Sequence, residues 1–430
     1  MPRLKVHSHA RSKASADQTW SLVRDFCVPW HPLVETMAPE RGPRGALIRS
    51  FTTKGDDTVY REQLTFFSES ERVMAYSHLS GIQGVQSYSA RLSVAALEGG
   101  ASSITMSAEL AAPALRAHEI AEGTQAIFDL GTQEIAQRAV GAALPEQDEA
   151  RLEAVDIETV EIDSLPKLAL SATQHDSDIL CLFLHGIGGN RSNWSKQIAA
   201  MSPYCKVATL DLRGYGESTL GPEQSSVDDY CADILRVMEA LGAKSLLLCG
   251  LSYGAWIATS FAMRHPELLS ALVLSGGCTG MSEAGADERD AFRLSREVPM
   301  NEGQTPADFA PAVVNVIAGP NASDADREAL LQSMAAIPTD TYADALRCFT
   351  NPLEKFDFAR LEMPVLLMTG EHDKLAPPSE IKAIAERIWD NASKPDVRFE
   401  MIEGAGHVCN LEAPDQYNSI LTEFAARVIR

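Results

Sequence analysis

The chain has 430 residues, 45% of them hydrophobic and 22% charged, and a formal net charge of −22. That length exceeds one ordinary core, so two soluble domains are expected. An acidic chain whose Lys and Arg are scattered excludes a nucleic-acid or anionic-membrane partner, because either would need a basic stripe. The start, Met1 to His9, carries no apolar signal-peptide core, and no run of about 18 apolar residues occurs, so a cytoplasmic protein with no membrane partner is expected. The eight cysteines are irregularly spaced and several sit in apolar runs, which fits buried reduced thiols. Neither Cys-x-x-Cys nor His-Glu-x-x-His is present, so the expectation is no metal and no cofactor.

Residues 1–145 read as a separate α+β unit. Leu4 to Ala10 forms a first strand, and Ser15 with Gln18 is a capping-box start for a short helix through Trp20, Leu22, Val23 and Phe26. Five alternating strands follow: Leu47 to Thr53, Val59 to Phe67, Val73 to Leu79, Tyr88 to Leu97 and Ser103 to Leu110. Glycines punctuate them, as in an antiparallel meander. Ile120, Ile127, Phe128, Leu130, Ile135 and Val140 then recur at helical spacing and predict a long helix lying across the sheet.

This succession of helix, meander and long closing helix resembles the polyketide cyclase-like members of the START/Bet v 1-type superfamily, the helix-grip fold. The phrases Ala16 to Phe26 and Val59 to Leu64 carry the likeness. The resemblance implies a ligand-binding domain with an apolar cavity between sheet and helix. On one strand parity Tyr60, Glu62, Leu64, Phe66, Met74, Tyr76, His78 and Tyr88 would face it. The alternative is an ordinary core whose polar ends are satisfied, with His78 a packed histidine.

Residues 146–153 are acidic and without apolar period, and read as a linker. From 154 to 430 strand-like runs alternate with helical ones. The strands are Val155 to Ile162, Lys167 to Thr173, Ile179 to Leu184, Val207 to Leu212, Leu246 to Cys249, Ala271 to Ser275, Val365 to Met368 and Val397 to Ile402. Continuous apolar strands alternating with amphipathic stretches such as Val227 to Leu241 predict a mainly parallel sheet covered on both faces. Between about 278 and 360 the alternation stops and a helical cap is expected.

The apolar run from Leu246 breaks at Gly250-Leu251-Ser252-Tyr253-Gly254 and resumes as a helix. In such a strand-elbow-helix turn a serine is lifted off the sheet end, which makes Ser252 a candidate nucleophile. The run Ile179 to Leu184 leads into His185-Gly186-Ile187-Gly188-Gly189-Asn190, a loop able to aim a backbone N–H at a developing oxyanion. Tyr253 would supply a second donor. Asp373 follows Val365 to Met368, and His407 follows Val397 to Ile402. The order Ser, Asp, His, each after a strand, suits a catalytic triad.

Residues 150 to 430 resemble the α/β-hydrolase fold superfamily. The motifs are His185-Gly186-x-Gly188-Gly189, Asp211-x-Arg213-Gly214-x-Gly216-x-Ser218, Gly250-x-Ser252-x-Gly254, Gly370-x-x-Asp373, and Gly406-His407 followed by Glu412-Ala413-Pro414. The resemblance implies Ser252 as nucleophile, Asp373 as acid in preference to Glu371, His407 as base, and the amides of Ile187 and Tyr253 as oxyanion hole. Ala255 stands where the family often has a further Gly. His185 and the Asp211 to Ser218 turn are read as structural, Trp256 as packing, and Gly186 and Trp194 as candidate substrate contacts. Leu331 to Pro378 is most similar to the enol-lactonase and small-ester hydrolase branch.

The expected activity is hydrolysis of a carboxylic ester or lactone of a small, partly apolar or aromatic molecule through an acyl-enzyme. A C–C bond hydrolase of a β-diketone would use the same triad, and a non-catalytic small-molecule receptor is the reading from another class. Self-association into a homo-oligomer is left open. A carboxylate nucleophile, needed by epoxide hydrolases and haloalkane dehalogenases, is absent at Ser252.

Overall fold

A computed structural model of the chain describes residues 3–140, 155–351 and 354–429. Two compact units divide the chain. The linker expected at 146–153 lies outside the described residues.

The first unit runs β1 (Arg3–Ser12), α1 (Ala16–Ser21), β2 (Val34–Arg41), β3 (Leu47–Thr53), β4 (Asp56–Ser68), β5 (Val73–Ser80), β6 (Ser87–Ala96), β7 (Ser102–Ala111) and α2 (Ala114–Arg138). Its strands pair antiparallel in the order β2-β3-β4-β5-β6-β7-β1. The Ser15 capping box forms: Ser15 Oγ accepts from the Gln18 amide at 3.2 Å, and Gln18 Oε1 accepts from the Ser15 amide at 3.1 Å. The helix ends at Ser21, well before Phe26. Val23 and Phe26 are nevertheless buried, so their apolar spacing reflects packing of the turns that follow.

Three further expectations for this unit need correction. Strand β2 was not expected, because its sequence VETMAPER is mostly exposed and carries Pro39, tolerated on an edge strand. On α2 the buried stripe is Ala117, Ile120, Thr124, Phe128, Thr132 and Ile135, continued by Ala139 at its C-cap. Ile127, Leu130 and Val140 lie off that stripe and are 45%, 39% and 58% exposed. A register shift between Leu64 and Phe66 breaks the single parity assumed for β4. Leu64, Met74, Tyr76 and Tyr88 join Trp20, Leu92 and Met106 in the core, with Phe67 packed against it in place of Phe66.

The second unit begins with β8 (Glu158–Ile162) and β9 (Leu168–Ala172), followed by β10 (Ile179–Leu184), α3 (Ser195–Met201), β11 (Lys206–Asp211), α4 (Val227–Ala240), β12 (Ser245–Leu251), α5 (Tyr253–Arg264) and β13 (Leu269–Ser275). Four helices then interrupt the alternation: α6 (Ala286–Asn301), α7 (Pro306–Ile317), α8 (Asp324–Ala335) and α9 (Thr339–Thr350). The alternation resumes with β14 (Val365–Gly370), α10 (Pro378–Asn391), β15 (Val397–Ile402), α11 (Cys409–Glu412) and α12 (Pro414–Val428).

The sheet order is β8-β9-β11-β10-β12-β13-β14-β15. Strands β10 to β14 pair parallel, and β8 and β9 are antiparallel additions at one edge. Residues Leu180–Leu184, Leu246–Leu251 and Val365–Gly370 are buried throughout, as strands covered by helices on both faces must be. Because the central strands run parallel, the loops after β10, β12, β13 and β14 emerge at one edge of the sheet, where sites on such sheets are built. The eight cysteines are free thiols, seven of them buried. No helix among the described residues is long and apolar enough to cross a membrane.

Candidate active site

Strand β12 ends at Leu251 and α5 begins at Tyr253, leaving Ser252 alone at the corner with φ 54° and ψ −112°. A non-glycine residue there is strained, and the strain is held by the surroundings. The Ser252 amide donates to Ser275 O at 2.8 Å, while its carbonyl accepts from Ala255 and Trp256 at 2.9 and 3.1 Å. The flanking glycines are required by close approach. A Cβ on Gly250 would lie 2.2 Å from Gly254 O, and one on Gly254 would lie 2.3 Å from Leu184 O. Strand and helix therefore cross too closely for any side chain, and Ser252 projects from the crossing.

The loop after β14 carries Asp373 and the loop after β15 carries His407. His407 Nδ1 lies 2.8 Å from Asp373 Oδ2, both side chains being almost fully buried. Asp373 Oδ1 accepts from the Leu375 and Ala376 amides at 2.8 and 2.9 Å, and the Thr369 hydroxyl proton is shared between Ala376 O at 2.9 Å and Asp373 Oδ2 at 3.2 Å. With its oxygens so engaged, the carboxylate cannot rotate away from the imidazole. The rival acid Glu371 turns elsewhere, accepting from the Gly404 amide at 3.0 Å. His372 is half-exposed.

The loop after β13 borders both Ser252 and the histidine-acid pair. A Cβ on Gly276 would sit 3.2 Å from the His407 ring and 3.3 Å from Asp373 Oδ2, and one on Gly277 would sit 3.2 Å from Ser252 O. The Gly276-Gly277 backbone thus touches both the serine corner and the histidine-acid pair, closely enough that a side chain there would press on them. On the other side, a Cβ on Gly186 would be 3.5 Å from Ser252 Cβ, so the loop after β10 also borders the serine.

Tyr253 is the first residue of α5, and its amide is among the N-terminal helix donors that have no intrahelical acceptor. Ile187 lies in the loop after β10, its carbonyl accepting from Tyr215 Oη at 3.0 Å. His185 braces that loop: Nε2 accepts from the Leu212 amide at 3.1 Å, which leaves the proton on Nδ1, 2.8 Å from Gly186 O. Burial holds its pKa below the ordinary 6.5, so it stays neutral. The Asp211 turn is tied down as well. Asp211 pairs with Arg191, Ser218 Oγ donates to Asp211 O at 2.7 Å, and Arg213 pairs with Asp233 at 2.8 Å.

Trp194 does not line the site. It is fully buried, its ring 4.8 Å from that of Phe183 and 6.1 Å from that of Tyr417, so the bulky indole fills the core and the substrate contact expected of it is withdrawn. Trp256 is buried too, donating from Nε1 to Ser282 Oγ at 2.9 Å. In the first unit Glu62 meets Arg49, a residue the strand parity did not place inside. Their charged ends are 2.6 Å apart, with the guanidinium 4.3 and 4.7 Å from the Phe26 and Tyr76 ring centroids. His78 Nε2 accepts from the Ile82 amide at 3.1 Å.

Sequence reasoning also gave Glu412 no task. Its Oε2 accepts from the Gly406 and Gly319 amides at 2.9 and 2.7 Å, joining the histidine loop to the end of α7. Burial raises its pKa. Its spacing five residues after His407 was the available signal. Among the described residues no three His, Cys, Asp or Glu side chains gather as a metal site.

Comparison with known proteins bears on both units. Residues 180–414 match the family model described as alpha/beta hydrolase fold, and residues 3–140 match the one for polyketide cyclase / dehydrase and lipid transport. The provisionally named carbamate hydrolase RutD of Pseudomonas savastanoi is 26% identical over 260 residues, covering 58% of this chain and 95% of its own. The 3-oxoadipate enol-lactonase 1 of Acinetobacter baylyi is 23% identical, covering 57% of this chain and 88% of its own. Among solved structures, an esterase from Thermogutta terrifontis superposes with a TM-score of 0.53 at 23% identity, over 64% of this chain and all of its own.

Proposed function

This chain belongs to the α/β-hydrolase fold family, and on that premise we propose that it is a serine hydrolase cleaving a carboxylic ester or lactone of a small, partly apolar molecule. The observation that carries the reading is the 2.8 Å contact between His407 Nδ1 and Asp373 Oδ2 beside the strained Ser252 corner. A carboxylate at that distance can only accept, so the imidazole keeps its proton on Nδ1 and presents the Nε2 lone pair.

In this mechanism Nε2 removes the Ser252 hydroxyl proton as Oγ attacks the substrate carbonyl. The oxyanion of the tetrahedral intermediate is stabilised by the amides of Ile187 and Tyr253. The imidazolium then protonates the leaving alkoxide, and the C–O bond breaks to leave an acyl-Ser252 ester. Water, deprotonated by the same Nε2, resolves that ester to the carboxylic acid. The relative named as an enol-lactonase supports an acyl substrate with an oxygen leaving group, and the one named as a carbamate hydrolase supports attack on a carbonyl carbon. Mass-spectrometric analysis of products from candidate esters, lactones and β-diketones tests the reading. Release of an alcohol or hydroxy acid supports it, and release of a ketone from a β-diketone with no ester turnover overturns it.

A further inference from the structure

Ile187 is flanked by two trans peptide planes, and both have their carbonyls tied down. Gly186 O shares a plane with the Ile187 amide and accepts from His185 Nδ1 at 2.8 Å and from the Gly189 amide at 3.0 Å. Ile187 O lies in the next plane, and among the described residues its one hydrogen bond comes from Tyr215 Oη at 3.0 Å. Across a trans peptide the C=O and N–H point in opposite directions, so holding a carbonyl also aims the amide hydrogen of the same plane. With both planes held, neither φ nor ψ of Ile187 is free to turn. The Ile187 and Gly188 amides themselves donate no bond among the described residues, and both residues are partly exposed, as Ser252 is.

Tyr215 is placed for this contact by the turn between Asp211 and Ser218. It is 1% exposed, and its ring meets that of His185 edge-on at 4.8 Å. The Tyr215 amide donates to Leu212 O at 2.9 Å, and the Leu212 amide donates to His185 Nε2 at 3.1 Å, so a single turn supports the side-chain partners of both carbonyls. The turn is itself confined on either side of the tyrosine. A Cβ on Gly216 would overlap the Asp211 carboxylate. One on Gly214 would fall 2.7 Å from Thr341 Oγ1, which donates to Gly214 O at 2.9 Å from cap helix α9. Packing against His185 would be served as well by phenylalanine. What the hydroxyl adds is the bond to Ile187 O, and burial pushes its pKa well above that of an ordinary phenol, so it remains a donor.

We infer that Tyr215 is a positioning residue of the proposed oxyanion hole: its hydroxyl, by holding Ile187 O, fixes the backbone from which the Ile187 amide meets the developing alkoxide. The inference rests on the hydrolase reading above. Tyr215 touches no reacting atom and exchanges no proton, and its effect reaches the substrate through the Ile187 backbone alone. Without the hydroxyl, Ile187 O loses its one bond among the described residues, and its peptide is free to rotate toward another donor.

The test is Tyr215→Phe in the full chain, with para-nitrophenyl acetate as substrate and two inhibitors of one shape. With 1,1,1-trifluoro-4-phenylbutan-2-one, Ser252 Oγ adds to the carbonyl carbon, its proton passes to His407 Nε2, and the C=O electron pair becomes an alkoxide in the hole. The corresponding alcohol, 1,1,1-trifluoro-4-phenylbutan-2-ol, binds without forming that alkoxide. Tyr215→Phe should lower kcat/KM by roughly 10- to 100-fold, less than the loss of about 10²–10³ on removing a donor outright, and raise the Ki of the ketone by the same factor. The Ki of the alcohol should stay within about twofold, a split that a general loosening of the site would not give. Equal weakening of both inhibitors, no change in either, or loss of the folded circular dichroism spectrum overturns the inference. Wild-type protein inert to the ester and to the ketone instead overturns the hydrolase reading itself, and this one with it.

Discussion

Replacing Asp373 with Asn tests the proposed triad most sharply, because the hydrogen bonds around the carboxylate dictate how an amide must sit. The aspartate accepts four bonds: Leu375 and Ala376 amides on Oδ1, His407 and Thr369 on Oδ2. An asparagine has one oxygen and one NH2. If its oxygen serves the two amides, its NH2 faces His407 Nδ1 and donates to it, driving the imidazole proton to Nε2, the atom that must accept from Ser252. If the amide flips, its NH2 opposes two buried backbone donors at about 1–3 kcal/mol each, so about 2–6 kcal/mol in all. The first orientation therefore prevails, and the wrong tautomer dominates. That substitution lowers turnover by about 10⁴ where a triad of this kind operates, equivalent to about 5.5 kcal/mol of barrier. The assay is kcat on an activated ester, with thermal denaturation in parallel. Expected are a loss of about 10³ to 10⁴ and a Tm close to that of the parent, since the favoured orientation keeps the Leu375 and Ala376 bonds. Activity within tenfold of the parent would refute the assignment of Asp373, and an inactive variant with a greatly reduced Tm would refute the orientation argument.

Other substitutions probe separate parts of the molecule. Ser252→Ala should abolish ester turnover by several orders of magnitude with an unchanged circular dichroism spectrum, and a fluorophosphonate should label Ser252 in the parent protein; labelling of a different serine would sink the mechanism. Glu62→Gln leaves Arg49 buried without its counter-charge, the two side chains being 9% and 7% exposed. Urea denaturation of the full chain should show a loss of about 3–5 kcal/mol, and a change below about 1 kcal/mol would contradict the burial argument. His185 is held neutral by burial, with its folded pKa below 6.5. Below pH 6.5 the unfolded chain binds a proton that the native state refuses, so this residue's contribution is present above pH 6.5 and declines as pH falls through that value. The fall in Tm between pH 7.5 and 5.5 should therefore be shallower in His185→Gln than in the parent, and an equal or steeper fall would contradict it.

Which parts were legible in the sequence follows from where the information lies. The loops of Ser252 and Asp373 stood out because each ends a continuous apolar strand, and that of His407 because it follows the strand-like run Val397 to Ile402, local patterns that need no knowledge of distant contacts. The capping box at Ser15 was readable for the same reason. Strand β2 was not, because an edge strand bears little burial and so leaves little alternation in VETMAPER. Phe66 and Phe67 exchanged roles through a register shift that no residue announces. Arg49 was invisible as a core residue because its burial depends on Glu62, 13 positions away.

The contacts between the cap and the histidine loop bear on how specificity and reactivity are linked. A Cβ on Gly406 would fall 2.3 Å from Ile317 O, and one on Gly319 would fall 2.3 Å from the Gly406 amide, so these two backbones are pressed together without side chains between them. The His407 amide donates to Ile317 O, and Glu412 Oε2 bridges the Gly406 and Gly319 amides. The end of α7 is thus bonded directly to the segment that carries the proposed base. A substitution that shifts the end of α7 is expected to displace the frame on which His407 is held, and with it the distance over which the proposed base moves a proton. The cap thus bears on the proposed base through Ile317 and Gly319, where its sequence is constrained by close backbone contacts.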